Sequence, residues 1–329
     1  MQRQAAIAAG GFVCLVIISK MDYHIFARFS VAAYIMSYVL MIAVSIVGTE
    51  ANGKKRWLGI GPFSFQPTEF VKIALIVMLA AVITSMGNRI NRLKSAMAVA
   101  GLALPLAGLI AMNNLSSGII VCGIVFVMLF VACKIKWPFF AMGAGALGIL
   151  AGAGPIGNAL LQIGLLKPYQ YSRIEAWLNP ESDPMGNGFQ VLQGLYAIGS
   201  GGLVGQGLGE SIQKLGFLPE SQNDMIFAII CEELGLFGAV SIILIFLFMI
   251  YRFMVIANNA PDLLGAMLVV GVMGHIAIQV ILNIAVVTNT IPNTGITLPF
   301  ISYGGTSILF LLMEMGMVLS VSNQIRLET

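Results

Sequence analysis

Charge is the scarcest property of this sequence. Only 9% of its 329 residues are Asp, Glu, Lys or Arg, against about a quarter in a soluble domain. That excludes an ordinary water-exposed surface. Histidine is almost missing: His24 and His275 are the two present, too few for a histidine-based metal cluster. Cysteine is scarce as well. Cys14, Cys122, Cys133 and Cys231 lie in apolar runs with no CxxC pair, which reads as small buried hydrophobes, not a disulfide framework or a thiolate site. A net charge of +3, with no basic block away from the apolar flanks, argues against nucleic acid. Period-two alternation, the mark of a membrane β-barrel, is missing too, as is any repeat of fixed period.

Apolar length is abundant. Hydrophobic residues make up 58% of the chain, the mean hydropathy is +0.94, and the runs suffice to cross a hydrocarbon core of about 30 Å. The reading is an all-α polytopic integral membrane protein, one membrane domain over 1–329. About nine transmembrane helices are predicted, near 5–19, 30–48, 69–87, 96–112, 117–133, 138–154, 224–250, 263–288 and 306–321. The first is short for a crossing. It is not a signal peptide, because it lacks a small-residue cleavage site and further spans follow.

Lys and Arg assign the two faces. "KMDYHIFAR", "NRINRLK", "KIK", "YR" and the tail "QIR" fall on one side, which is therefore cytoplasmic and holds the C-terminus. "NNLSS" and "TNTIPNTGITLPFISYGG" fall on the other and carry no cation. Two longer outer loops, 49–67 and 155–223, break the rule with Lys54, Lys55, Arg56, Lys167, Arg173 and Lys214. Either an anionic ligand holds these cations outside, or long loops escape the charge rule. The large extracytoplasmic loop 155–223 has aromatics and periodic apolar residues, so it is read as ordered. Within it "GSGGLVGQGLG" has no βαβ context. It is read as close backbone packing or a re-entrant turn, not a dinucleotide site.

Three stretches can carry chemistry. In "FLPESQNDMIFAIICEELG", at 217–235, Asp224 precedes an apolar run and could simply cap a helix. Asn223 could do that alone, and a partly desolvated carboxylate at the membrane boundary is a candidate general base. On the residues alone the cap is the simpler account. In "FSFQPTEFVK", at 63–72, Pro67 suits a first helical turn, Glu69 suits its dipole, and Lys72 follows three residues later on the same face. Lys72 either snorkels while paired with Glu69 or works, since ionisable residues in spans are functional candidates. Just before it, Arg56 is a natural phosphate partner and Trp57 an interface anchor. In "IPNTGITLPFISYGGTS", at 291–307, freed backbone N–H groups could cradle an anion, with Ser302, Tyr303 and Gly304 as candidate substrate contacts. A plain re-entrant turn accounts for it as well. Glu232, Glu233, His275 and Glu314 are read as interhelical contacts, with His275 and Glu314 a possible pair.

"GKKRWLGIGPFSFQPTEFVKIALI", "AWLNPESDPMGNGFQVLQGLYAIGSGGLVGQGLG", "FLPESQNDMIFAIICEELG" and "TGITLPFISYGGTS" together resemble the SEDS family (shape, elongation, division and sporulation), the FtsW, RodA and SpoVE proteins. The similarity runs essentially end to end and looks closest to the division and sporulation branch. It implies a peptidoglycan glycosyltransferase that polymerises lipid II on the outer face of the bacterial cytoplasmic membrane. It also implies Asp224 as the catalytic aspartate, with Glu69 and Lys72 beside it. A divalent cation, Mg or Mn, and a class B penicillin-binding protein within the divisome are further implied partners. Members of the family typically have ten spans, and this chain is similar from just after the first. Three positions differ from the usual pattern: Asn114 replaces a common Asp, Asn223 a Thr, and Met225 a Phe. Two other functions fit the same resemblance, a lipid II flippase and a non-catalytic scaffold for a transpeptidase.

Overall fold

The structure is a computed structural model, and it describes residues 2–51, 54–60, 63–164 and 168–325. Lys167 and Arg326, two of the cations used above, lie outside the described residues. The chain folds into two compact units, one of 1–136, 248–278 and 304–329 and one of 137–247 and 279–303. Each unit draws on distant stretches of sequence, so no single cut separates them.

The first unit holds α1 (Gln2–Lys20), α2 (His24–Arg28), α3 (Ser30–Val47), α4 (Pro67–Met86), α5 (Leu93–Asn113), α6 (Leu115–Ala132) and α13 (Gly305–Asn323). It also takes the end of α11 (Ile226–Asn258) and the start of α12 (Leu263–Val287). Its centre is α4, where Val71, Leu75, Ile76, Leu79 and Ile83 are wholly buried. Water-free packing favours small residues at helix contacts. Accordingly Gly271 of α12 lies against Ile76 and Met128, and Gly316 of α13 against Ile18 and the Leu15 carbonyl of α1. Hydroxyl and amide groups fasten the same ends: Ser320 Oγ donates to the Met21 carbonyl at 2.7 Å and Asn323 Nδ2 to that of Ser19 at 3.0 Å. Asn114 caps α6 by accepting from the Ser117 N–H at 3.4 Å, a role its carbonyl oxygen fills as an Asp would. Between α1 and α3, His24 bridges two carboxylates, Nδ1 to Asp22 and Nε2 to Asp262, both at 2.7 Å. Asp262 also accepts from the Gly265 N–H at 2.8 Å, which closes the first turn of α12.

Between α3 and α4 the described residues hold what composition does not announce, a small antiparallel sheet of β1 (Thr49–Ala51), β2 (Lys54–Ile60) and β3 (Phe63–Phe65) in the order β1-β2-β3. Trp57 pairs with Thr49 and Leu58 with Phe65. Phe65 packs its ring 5.6 Å from Phe310 of α13.

The second unit holds α7 (Trp137–Ala151), α8 (Ala153–Gln162), α9 (Pro168–Leu178), α10 (Phe189–Ser200), the start of α11 and the end of α12. Among the described residues of 155–223, α9, α10 and most of α8 are helical. Trp177 of α9 donates to the Asn289 carbonyl at 2.9 Å, and Asn293 donates to Gln190 of α10 at 2.8 Å.

Among the described residues seven helices are long and apolar enough to cross a membrane, and α7 with α8 makes an eighth if the pair, bent by 78°, is one span. The remaining predicted span, the first in the chain, is α1, a shorter apolar helix over Gln4–Lys20. The predicted boundaries fall within a few residues of these helices except in the sixth, which continues past its bend, and the seventh. That seventh helix, α11, runs for 33 residues and is broken at Gly235, where φ is 64° and ψ −164°. A break strands carbonyls on one side and N–H groups on the other. Here the glycine-rich loop takes both sets. Gln206 and Gly207 donate to the carbonyls of Glu232 and Glu233, while Leu236 and Phe237 donate to those of Gly202 and Leu203. The glycines are required by contact: a Cβ on Gly205 would meet the Glu233 carbonyl at 2.2 Å, and one on Gly201 the Cys231 carbonyl at 1.9 Å.

Candidate active site

Pro67 opens α4 and places Glu69 in its first turn. One turn on, Lys72 Nζ lies 2.9 Å from Glu69 Oε1. Glu69 Oε2 accepts from Ser307 Oγ of α13 at 3.2 Å. Both ionic side chains are buried, Lys72 to 2% exposure. The lysine therefore does not snorkel; its charge is neutralised in place. Beside the pair in sequence, the hydroxyls of Thr68 and Thr306 are buried with no hydrogen-bond partner. Arg56 and Trp57 lie on β2, both partly exposed. The Trp57 carbonyl accepts from Thr49 Oγ1 at 3.1 Å.

Asp224 belongs to the second unit, in the turn before α11. It does not cap that helix: the Ala228 N–H is taken by the Met225 carbonyl at 3.0 Å, and Asp224 Oδ1 is buried with no hydrogen-bond partner. Asn223 does not cap it either, because its side-chain amide donates to Glu220. The reason is geometric. Asp224 stands two residues before the first helical residue, and the turn from Glu220 to Met225 directs the backbone away from a cap. Burial pushes the Asp224 carboxyl up to about 7, with the Glu220 charge adding to the rise and Arg173 and nearby backbone N–H groups opposing it. Burial costs a carboxylate its hydration, which favours the protonated form.

The loop 291–304 closes over this turn. Gly295, at φ +68°, faces the carboxylate: a Cβ there would stand 3.7 Å from Asp224 Oδ2. Ser302 Oγ accepts from the Leu298 N–H at 2.7 Å and donates to the Asn223 carbonyl at 2.6 Å. The Tyr303 N–H donates to the Gln222 carbonyl at 2.8 Å. Ser302 and Tyr303 are thus tethers of the turn, while the Tyr303 side chain stays 45% exposed. Gly304 precedes α13 as its N-terminal boundary residue. One contributor is not among the residues that the sequence motifs single out: Asn283 of α12 donates from Nδ2 to the Asp224 carbonyl and to the Ile296 carbonyl, each at 2.7 Å. An amide inside an apolar span was the available clue.

The structure therefore joins Glu69 with Lys72 in one unit, and Asp224 with Ser302 and Tyr303 in the other. His275, Glu314, Glu232 and Glu233 each have partners. His275 Nδ1 meets Glu314 at 2.8 Å. Glu232 accepts from Ser211 Oγ and the Ile212 N–H, and Glu233 pairs with Lys214 at 2.6 Å. Lys214 is thereby engaged within the protein, and Arg173 reaches the Asn293 carbonyl at 3.4 Å. Among the described residues no group of three or more His, Cys, Asp or Glu is placed to hold a metal ion.

A helical, multi-pass membrane protein with a buried carboxyl beside an apolar span and a buried ion pair is the class that fold and site define. Within that class, the chain belongs to the FtsW/RodA/SpoVE family, a cell cycle protein family whose model matches residues 1–327. It is 41% identical to the stage V sporulation protein E of Bacillus subtilis, over 99% of this chain and 87% of that protein. It is 35% identical to a probable peptidoglycan glycosyltransferase FtsW of Trichlorobacter lovleyi, over 99% and 84%. Among solved structures it is similar to a chain described under structural coordination of polymerization and crosslinking by a peptidoglycan synthase complex. That likeness has a TM-score of 0.80 at 30% identity and covers 99% of this chain and 90% of that one. The rod shape determining protein RodA of Thermus thermophilus aligns with a TM-score of 0.71 at 26% identity, covering 99% and 88%.

Proposed function

We propose that this chain is a peptidoglycan glycosyltransferase that joins lipid II units into glycan strands at the outer face of a bacterial cytoplasmic membrane. The observation that carries the reading is Asp224, a buried carboxyl at about 7 with one oxygen unpartnered. A general base works best when its affinity for protons sits near the working pH. Asp224 accepts the proton of the acceptor's sugar 4-hydroxyl as that oxygen attacks the anomeric carbon of the donor. The C–O bond to the pyrophosphate breaks, undecaprenyl pyrophosphate departs with the bonding electrons, and the anomeric configuration inverts.

The residues present do not suit a divalent cation. Among the described residues Glu69 faces the Lys72 ammonium at 2.9 Å and a serine hydroxyl, and belongs to no group of three or more His, Cys, Asp or Glu that could hold a metal ion. No step is routed through one. The relative named for a peptidoglycan synthase complex supports a transpeptidase of the class B penicillin-binding type as partner, within the division or sporulation machinery. The cation-rich cytoplasmic loops support a cytoplasmic C-terminus. Purified protein given labelled lipid II tests the reading. Polymer that disappears in Asp224→Asn supports it. Translocation without polymer in liposomes indicates a flippase, and neither activity indicates a scaffold.

A further inference from the structure

Asp224 Oδ1 is buried without a hydrogen-bond partner, so the aim of the carboxylate depends on the backbone that carries it. The direction of a side chain is set by the two peptide planes that flank its Cα. For Asp224 these planes carry the carbonyls of Asn223 and Asp224, and both are held. Ser302 Oγ fixes the first at 2.6 Å and Asn283 Nδ2 the second at 2.7 Å, while the Tyr303 N–H holds the carbonyl just before them at 2.8 Å. The other N–H of the Asn283 amide goes to Ile296, on the loop that also carries Ser302 and Gly295.

Asn283 is 0% exposed, and its Oδ1 is buried without a hydrogen-bond partner. A primary amide in an apolar helix is costly to bury, and one left with an unmatched oxygen more so. An apolar side chain would suit the helix better if stability were the only demand. What the amide supplies is two N–H groups from one nitrogen, shared between two carbonyls on separate segments. Aspartate, leucine and alanine supply none, and serine supplies one donor.

We propose that Asn283 is a positioning residue for Asp224. Its amide locks the peptide plane after Asp224 to the 291–304 loop and so sets where the carboxylate points. The inference rests on the reading of Asp224 as the base, and the experiment separates the two. Full-length Asn283→Ala, Asn283→Ser and Asp224→Asn are assayed for lipid II polymerisation, with kcat and KM resolved across pH.

For Asn283→Ala, kcat is expected to fall about 10- to 100-fold, the usual cost of a reacting group displaced by about 1 Å, with KM little changed. The acid limb of the kcat profile should move to lower pH, because a loosened turn admits water to the carboxylate. Asn283→Ser, which keeps one donor, should lie between parent and Ala. Parental kcat and acid limb in Asn283→Ala, with Asp224→Asn inactive, overturn the proposal and leave the base reading standing. A loss of folded protein with unmoved kcat per folded molecule overturns it equally, since that is a purely structural role. Parental activity in Asp224→Asn removes the base reading itself. Should Asn283→Ala not fold, Ser302→Ala releases the other flanking plane and is read the same way: a moved acid limb supports the proposal and an unmoved one overturns it.

Discussion

Lys72 Nζ lies 2.9 Å from Glu69 Oε1 within the first turns of α4, and both side chains are almost wholly removed from water. Their attraction offsets two desolvation costs, so each charge is tolerable only beside the other. Lys72→Met or Glu69→Gln alone should each destabilise the protein by about 3–5 kcal/mol. The double variant should cost clearly less than the sum. A double-mutant cycle on thermal unfolding in detergent measures the coupling, and additive effects would show that the two charges do not depend on each other.

Asp224→Asn tests the chemistry with little change of shape. No cap hydrogen bond is lost, because the carboxylate makes none, so the variant should fold as the parent does. Polymerisation should fall by about 10²–10⁴-fold, the usual contribution of a general base. Labelled lipid II and a gel of the glycan products give the answer directly.

The same carboxyl sets two pH dependences. A base at about 7 is protonated in more acidic solution, so kcat should decline as pH drops through that value. Stability runs the other way. The folded value lies above the ordinary 3.8, so its contribution is fully present below 3.8 and is lost as pH rises through about 7. Asp224→Asn abolishes that loss, and its Tm should exceed the parent's at pH values above about 7 while the two converge in acid. A Tm difference that does not vary with pH would contradict the raised affinity for protons.

At Gly235 the chain adopts φ 64°, and a Cβ would meet the Leu203 carbonyl carbon at 2.6 Å. Gly235→Ala therefore brings both backbone strain and a clash. It should cost at least as much as the 1–3 kcal/mol typical of one strained residue. A Tm equal to the parent's would mean that the loop contacts around Gly235 can relax.

His24 donates to two carboxylates at once, which requires a proton on each ring nitrogen. The hydrogen bond to Asp22 is the main reason its affinity for protons is raised above the usual 6.5. The clasp is then complete below 6.5 and is lost as pH rises through the folded value. Unfolding scans of the parent and His24→Gln across neutral pH should show a gap that closes in alkaline solution.

Much of this architecture was legible because the membrane imposes length on apolar runs. The helices α3, α4, α5, α6, α12 and α13 lie within a few residues of where their apolar runs place them. The pairing of Glu69 with Lys72 follows from i,i+3 spacing and that of His275 with Glu314 from the scarcity of other partners in the spans. Less was legible where backbone, not side chain, decides. The small sheet at 49–65 has no alternating apolar pattern. The fate of Asp224 turned on where α11 begins, and a shift of two residues separates a capping aspartate from an orphaned one. Asn283 went unnoticed because its partners, the carbonyls of Asp224 and Ile296, exist for every residue type.

The broken α11 bears on how the protein is made. At 1.5 Å per residue, 33 residues of straight helix would measure about 50 Å, some 20 Å beyond a hydrocarbon core of about 30 Å. The loop that satisfies the break, Gly201 to Gly207, precedes α11 in the chain and leaves the ribosome first. Its donors and acceptors are ready when the helix arrives at the translocon, so the kink can form during insertion without exposing bare peptide groups to lipid. A loop transplanted to the C-terminal side of the helix would arrive too late for that.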